Sequence, residues 1–327
     1  MKIRVATVCQ GGNFYDSVNE NRKYVAKLLD LALLNTPDIV CLPEAFTTAN
    51  VNRPLEEVAE ETSGPTVEVV GKKARAAKCY IICPILTRRE GKVWNSAILI
   101  GRNGEIVGIY DKVHPVTSSS DYTVFEGGVS PGKEALVFDL DFGRVGIQIC
   151  FDIIFPESWR ELAGKGVKIV FWPSAYNGGF PLQVYAYLHQ YYVVSSVRSD
   201  KSRIIDPLGR ILAETDQRIN VIYRDINTDF IISHYDFNYD IPERIMKKYP
   251  GRVEIRSSID DARFLVEPTD ETLKTELLKE EFGFETLLQY NERHKTAYAW
   301  MLQDKRPPAQ KAAHGDRPQY SKQNQLE

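Results

Sequence analysis

Arg144-Val-Gly-Ile-Gln-Ile-Cys150-Phe-Asp-Ile-Ile-Phe-Pro156-Glu-Ser-Trp-Arg-Glu-Leu-Ala-Gly164-Lys-Gly166-Val-Lys168-Ile-Val-Phe-Trp172 is the stretch on which the fold turns. Arg144–Cys150 and Lys168–Trp172 are apolar at nearly every successive position, the pattern of a strand buried on both faces. Between them Pro156, suited to a first helical turn, opens a helix that ends near Gly164–Gly166. Strand, helix and strand in this form predict a sheet covered by helices.

The same grammar extends both ways. Upstream, strands are predicted at Ile3–Val8, Asp38–Leu42 and Tyr80–Leu86. Helices are predicted at Asn19–Leu34, with Val25, Leu28, Leu29, Ala32 and Leu33 on one face, and near Val67–Ala77 after Ser63-Gly64-Pro65. Val93–Gly101 and Glu105–Tyr110 flank Arg102-Asn103-Gly104, a hairpin signal. A polar loop and a strand at Ala135–Asp139 follow. Downstream, Pro181 opens a helix taken to carry Tyr185, Tyr187, Tyr191 and Tyr192. Arg203–Asp206 and Arg210–Ala213 form a hairpin, and Val221–Ile226 closes the sheet. The hairpins make the sheet mixed, which disfavours a purely parallel nucleotide-binding arrangement. No strand is followed by a Gly-x-Gly-x-x-Gly or Walker loop, and no internal repeat is evident.

From about Thr228 the pattern changes. Asp229–Glu267 has few clean periods, and Glu271–Phe284 and Glu285–Met301 read as amphipathic helices. We expect residues 1–227 to form one domain and residues 228–304 an arm, too poor in core residues to stand alone, that packs on the body or on a partner subunit. Residues 305–327, with Pro307-Pro308 and few large apolar side chains, are expected to be a disordered tail.

The 327 residues are 43% hydrophobic and 26% charged, which excludes disorder of the whole chain. Forty-one basic against 44 acidic residues leave a net −3, too balanced for nucleic-acid binding through bulk charge. No apolar run approaches the ~18 residues of a membrane span. Met1-Lys2-Ile3-Arg4-Val5-Ala6 enters a strand pattern without a signal-peptide core, so the expectation is a cytoplasmic protein. Five cysteines, an odd number without framework or zinc spacing, argue against a disulfide scaffold or metal site. Each lies in or beside an apolar run, where a buried, inert thiol is the default.

Charged or reactive residues that end apolar strands are the informative ones, because function in α/β folds collects there. Glu44 ends Ile39-Val-Cys-Leu-Pro-Glu44, Lys112 ends Ile106-Val-Gly-Ile-Tyr-Asp-Lys112, and Cys150 ends the strand quoted above. A thiol needs a base to attack, and an ammonium can stabilise the oxyanion that results. These three would make an acyl-transfer site without histidine if they met, and spacing alone does not bring them together.

Leu42-Pro43-Glu44, Tyr110-Asp111-Lys112-Val113-His114 and Ile149-Cys150-Phe151-Asp152, in this order, resemble the nitrilase superfamily of carbon–nitrogen hydrolases, in its amidase and carbamoylase branches. Ala6–Gln10, Trp94-Asn95-Ser96-Ala97, Pro131-Gly132, Phe155–Arg160, Trp172-Pro173-Ser174-Ala175 and Ile205–Gly209 extend the resemblance over about residues 1–226. It implies an α/β fold, the four-layer α-β-β-α sandwich of that superfamily, paired into a homodimer or higher homo-oligomer. It implies Cys150 as nucleophile, Glu44 as general base, and Lys112 with the Phe151 backbone N–H as oxyanion stabilisers. Glu126 is the implied second glutamate, with Asp121 as its rival. Trp172 and Tyr176 become a substrate wall.

The implied activity is hydrolysis of a small amide or N-carbamoyl compound through a thioester on Cys150, with no cofactor or metal. A nitrile hydrolysed through a thioimidate is the alternative, disfavoured because Phe-Asp follows the cysteine where true nitrilases commonly carry Trp-Glu. A catalytically silent scaffold of the same fold, and a papain-like protease using His114, are the readings from other classes. Packing and hydrogen bonding are the simpler roles for His114 and Asp152.

Overall fold

The structure, a computed structural model, describes residues 1–319. Its contacts divide the chain into a larger unit, Ile3–Ile226, and a smaller one of Met1–Lys2 with the chain from Asn227 onward.

The larger unit is built on two six-stranded mixed sheets among the described residues. In the first, Val221–Asn227, Lys2–Val8, Ile39–Cys41, Tyr80–Arg89, Lys92–Ile100 and Ile106–Asp111 lie side by side in that order. In the second the order is Ile211–Glu214, Arg203–Ile205, Tyr192–Val197, Ile169–Ser174, Gly143–Ile147 and Val137–Leu140. Three parallel strands joined by helices, then two antiparallel ones, occur in each sheet. The internal repetition that the residues hide is therefore present in the topology.

Side-chain alternation assigns the layers. Ala6, Val8, Val40, Ile81 and Cys83 of the first sheet pack against Val25, Leu28, Leu29 and Ala32 of helix Val18–Leu33 and Val67, Val70 and Ala74 of helix Pro65–Ala77. Val170, Trp172 and Val193 of the second sheet pack against Trp159 and Leu162 of helix Pro156–Gly164 and Leu182 and Ala186 of helix Pro181–His189. The opposite faces meet each other: Thr7 Oγ1 donates to Ser195 O at 2.7 Å, and Ser196 Oγ reaches Val8 O at 2.7 Å and Cys41 O at 3.0 Å. Helix, sheet, sheet, helix is the implied sandwich, and each fully buried Leu or Ile in it is worth roughly 1.5–3 kcal/mol.

Two expectations change. The tyrosine-rich segment is not one helix: helix Pro181–His189 stops at Gln190, whose φ of 58° closes the turn, and Tyr192–Val197 is a buried strand. The segment after Thr228 is not poor in core residues. Ile231–His234, Arg263–Pro268 and Val253–Ser258 form an antiparallel sheet, with helices Ile241–Lys248, Thr275–Phe282 and Leu287–Met301. Ile231, Ile241, Ile245, Phe264, Val266 and Leu278 make a core of their own.

Of the expected disordered tail, residues 305–319 form no helix or strand, yet His314 stacks on Phe237 at 3.9 Å and Arg317 donates to Phe282 O at 3.0 Å. Residues 320–327 lie outside the described residues. No described helix is long and apolar enough to cross a membrane.

Candidate active site

Glu44 follows the short strand Ile39–Cys41, and the chain then turns through Ala45, at φ 41°, into the 3-10 turn Phe46–Thr48. Buried Asn21 fixes this turn, donating to Thr47 O at 3.2 Å and Ala49 O at 2.9 Å. Lys112 leaves the end of Ile106–Asp111, with its N–H on Asn95 O at 2.9 Å and its carbonyl taken by Gly132 N at 2.8 Å. A Cβ at Gly132 would lie 2.2 Å from Asp111 O, so only glycine allows the chain this close. Pro131-Gly132, quoted above only for its resemblance, thus has a physical reason.

Cys150 opens the 3-10 turn Cys150–Ile154 with φ at 46°, a left-handed conformation unusual for a residue with a side chain. Its neighbours enforce that conformation. Asp152 accepts from Ile149 N at 2.8 Å, Tyr110 Oη at 2.7 Å, His114 N at 2.9 Å and His114 Nδ1 at 2.8 Å. Trp172 Nε1 donates to Cys150 O at 3.0 Å, Trp159 Nε1 to Asp152 O at 3.0 Å, and Tyr185 Oη to Ile153 O at 2.7 Å. His114 itself stacks on Phe155, 3.7 Å between ring centres. Both Asp152 and His114 are thus engaged in holding the turn.

The three strand ends converge. Glu44, Lys112, Glu126 and Cys150 line one cavity of about 320 Å³ together with Asn95 and Arg198. Lys112 Nζ lies 2.9 Å from Glu44 Oε1 and 2.5 Å from Glu126 Oε1. Asn95 Nδ2 ties the same two carboxylates together, at 2.8 Å and 3.1 Å. Among the described residues Glu44 Oε2 is buried without a hydrogen-bond partner, leaving one acceptor open. Asp121 is elsewhere, taken up by Ser119 Oγ at 2.7 Å and Thr123 Oγ1 at 2.8 Å in its own exposed loop.

Electrostatics distinguish the groups. Burial, reinforced by the Glu44 charge, pushes the Cys150 thiol up to about 12 against the pull of Lys112 and a hydrogen bond with Ser174. A thiol held that high is protonated at pH 7 and would have to give up its proton to act as a nucleophile. Burial also opposes the Glu44 carboxylate, but Lys112 and Arg198, with hydrogen bonds from Lys112 and Asn95, hold it below the usual carboxylate range. Burial works against the Lys112 ammonium as well, and Glu44, Cys150 and Glu126 together raise it above an ordinary lysine. Among the described residues no three His, Cys, Asp or Glu side chains are placed to hold a metal ion.

Two residues stand apart from their expected places. Trp172 does not line the cavity; it is fully buried in the outer helix-facing core and touches the site only through its indole N–H on Cys150 O. Tyr176, its ring edge-on to Trp172 at 5.5 Å, is half-exposed, and burial with the nearby Cys150 raises its phenol. Phe151 directly follows Cys150 in the turn, its ring edge-on to Phe155 at 5.8 Å. Asn95 and Arg198 went unassigned. Arg198 follows the apolar strand Tyr192–Val197 and would have met the strand-end criterion, had the reading, which carried the preceding helix through Tyr192, assigned that strand.

The profile of the carbon-nitrogen hydrolase family matches residues 5–234, more than two thirds of the chain. The chain belongs to that family, the carbon–nitrogen hydrolases. It is similar to the omega-amidase NIT3 of Saccharomyces cerevisiae, 27% identical over 261 residues that cover 71% of this chain and 89% of that one. It is also similar to the deaminated glutathione amidase of Synechocystis, 28% identical over 239 residues, 65% of this chain and 88% of the other. Among solved structures, S. cerevisiae Nit3 superposes with a TM-score of 0.59 at 23% identity, covering 76% of this chain and 95% of that chain. The Xanthomonas campestris CN-hydrolase superfamily protein XC1258, which carries an arsenic adduct in its active site, gives 0.61 at 21% identity, covering 76% and 96%.

Proposed function

We propose that this chain hydrolyses a small amide or N-carbamoyl compound by acyl transfer through Cys150. The observation that carries the reading is the sharing of one cavity by a left-handed cysteine and a lysine clamped between two glutamates. Glu44 Oε2 takes the thiol proton as sulfur bonds to the carbonyl carbon. Lys112 and the Phe151 N–H hold the oxyanion, while Glu126 and Asn95 keep Lys112 aimed. The proton passes from Glu44 to the leaving nitrogen as the C–N bond breaks, which leaves a thioester. Water, deprotonated by Glu44, then attacks that carbonyl, and the sulfur departs with the proton.

The names of the similar omega-amidase and deaminated glutathione amidase favour an amide over a nitrile. Ammonia release from a panel of small amides, carbamoyl compounds and nitriles tests this. We expect turnover of amides or carbamoyl compounds that is lost on Cys150→Ala; turnover of nitriles alone would overturn the reading. We place the enzyme in the cytoplasm as a homo-oligomer. Helix Leu287–Met301, which buries no side chain and exposes Leu288, Tyr298 and Trp300, supports assembly through the C-terminal unit. Light scattering in solution checks it.

A further inference from the structure

The segment Trp172-Pro173-Ser174-Ala175 closes the strand that lies beside the reactive cysteine. The parallel register pairs Val145 with Ile169, Gly146 with Val170 and Ile147 with Phe171. The same offset, carried past the end of Gly143–Ile147, brings Ser174 to the level of Cys150. Ser174 is wholly buried. Its backbone is fixed from the other side as well, opposite Val197 in the next strand and with its carbonyl taken by Arg198 N at 3.0 Å.

A buried hydroxyl has to give its proton to an acceptor. Tyr176 N–H donates to Ser174 Oγ at 3.2 Å, which engages the oxygen as an acceptor and leaves its own O–H to be donated. Among the described residues its hydrogen-bond partner beyond Tyr176 is the sulfur of Cys150. The backbone N–H of Ala175, a residue on the cavity wall, bonds to the same sulfur. Glu44 and Lys112 reach the site from the ends of strands in the first sheet, whereas Ser174 belongs to the second, alongside Cys150. The sulfur therefore has a base and an ammonium from one sheet and two neutral donors from the other.

We propose that Ser174 is a further catalytic residue, its hydroxyl forming with the Ala175 N–H a cradle for negative charge on the Cys150 sulfur, separate from the donors that hold the substrate oxyanion. The hydroxyl keeps its own proton throughout. This rests on the acyl-transfer reading for the moments at which that charge appears. It appears first as Glu44 draws off the thiol proton and the S–C bond forms. It appears again as the C–S bond of the thioester breaks, its electron pair staying on sulfur until Glu44 returns the proton. A hydrogen bond to a charged acceptor is stronger than one to a neutral thiol, so the cradle favours these moments over the resting state.

Alkylation by iodoacetamide reads the sulfur without any substrate: an S–C bond forms, iodide leaves, and the thiol gives up its proton, so the rate follows thiolate character. The full-length enzyme is followed by intact mass, with peptide mapping to assign the adduct to Cys150. Ser174→Ala lowers the second-order rate constant roughly five- to tenfold between about pH 7 and 9. Ser174→Thr, which keeps a hydroxyl, stays within about twofold. Unchanged thermal midpoints show that the variants are folded, and Ser174→Gly supplies the comparison should Ser174→Ala not fold. An alkylation rate indifferent to the hydroxyl overturns the proposal and leaves Ser174 to packing, and so does an equal loss in Ser174→Ala and Ser174→Thr. Ammonia release from amides by the unsubstituted enzyme is measured in parallel. Amide turnover with hydroxyl-independent alkylation sinks only the role of Ser174. Hydroxyl-dependent alkylation without turnover of any amide sinks only the hydrolase reading.

Discussion

Asp152 divides its two oxygens among four donors: Oδ2 takes Ile149 N and Tyr110 Oη, and Oδ1 takes His114 N and Nδ1. Asp152→Asn must therefore turn an NH₂ toward a backbone N–H, whichever way the amide is flipped. We expect a loss of about 2–4 kcal/mol in urea unfolding, together with a fall in kcat as the Cys150 turn loosens. At Glu44 the sign follows from its lowered pKa. As the proposed base, its carboxylate is expected to stay ionised until the pH drops beneath the ordinary carboxylate range of about 4.3. The kcat/KM profile is expected to be flat through neutrality, with an acid limb below that value. Lys112→Ala removes the field that keeps Glu44 charged and moves the remaining activity's acid limb upward; a limb that stayed put would show that Lys112 does not set the base.

At the scale of elements, Gly132 is the narrowest fit between the loop that carries Glu126 and the strand that delivers Lys112. Gly132→Ala brings a methyl group against Asp111 O, and we expect about 1–3 kcal/mol of destabilisation and a lowered kcat from a displaced Lys112, seen in thermal unfolding and initial rates. The elements also explain what the sequence could reveal. Glu44, Lys112 and Cys150 were legible because a polar or reactive group at the end of an apolar run breaks its own pattern. Trp172 was expected on the substrate wall from the resemblance, and the residues could not correct this, because Ile169–Ser174 is buried on both sides and a strand with no polar face does not say which way its side chains point. The tyrosines around 185–192 hid a helix stop, since a left-handed Gln190 carries no glycine signal, and Arg198 was lost with the strand behind it. In the C-terminal unit, Ile231, Phe264 and Leu278 meet only through long-range pairing, which local periodicity does not register.

Over the whole molecule, the five cysteines are buried and free. Burial pushes Cys79 and Cys150 up to about 12, and Cys41 and Cys83 higher still. An unfolded thiol ionises near 8.5. A pKa raised by folding contributes stability in full below the unfolded value and loses it as the pH climbs toward the folded one. We therefore expect urea midpoints to fall steadily from about pH 8.5 toward 12, with a shallower slope in Cys79→Ala; a midpoint constant across that window would contradict the burial of these thiols. The aromatic clamp under the reactive turn has a practical consequence. Of the chain's four tryptophans, two have their indole N–H seated on the carbonyls of residues 150 and 152. If the proposed thioester forms on Cys150, we expect their ultraviolet emission to change with it, an unlabelled signal that stopped-flow measurement of a single turnover would check.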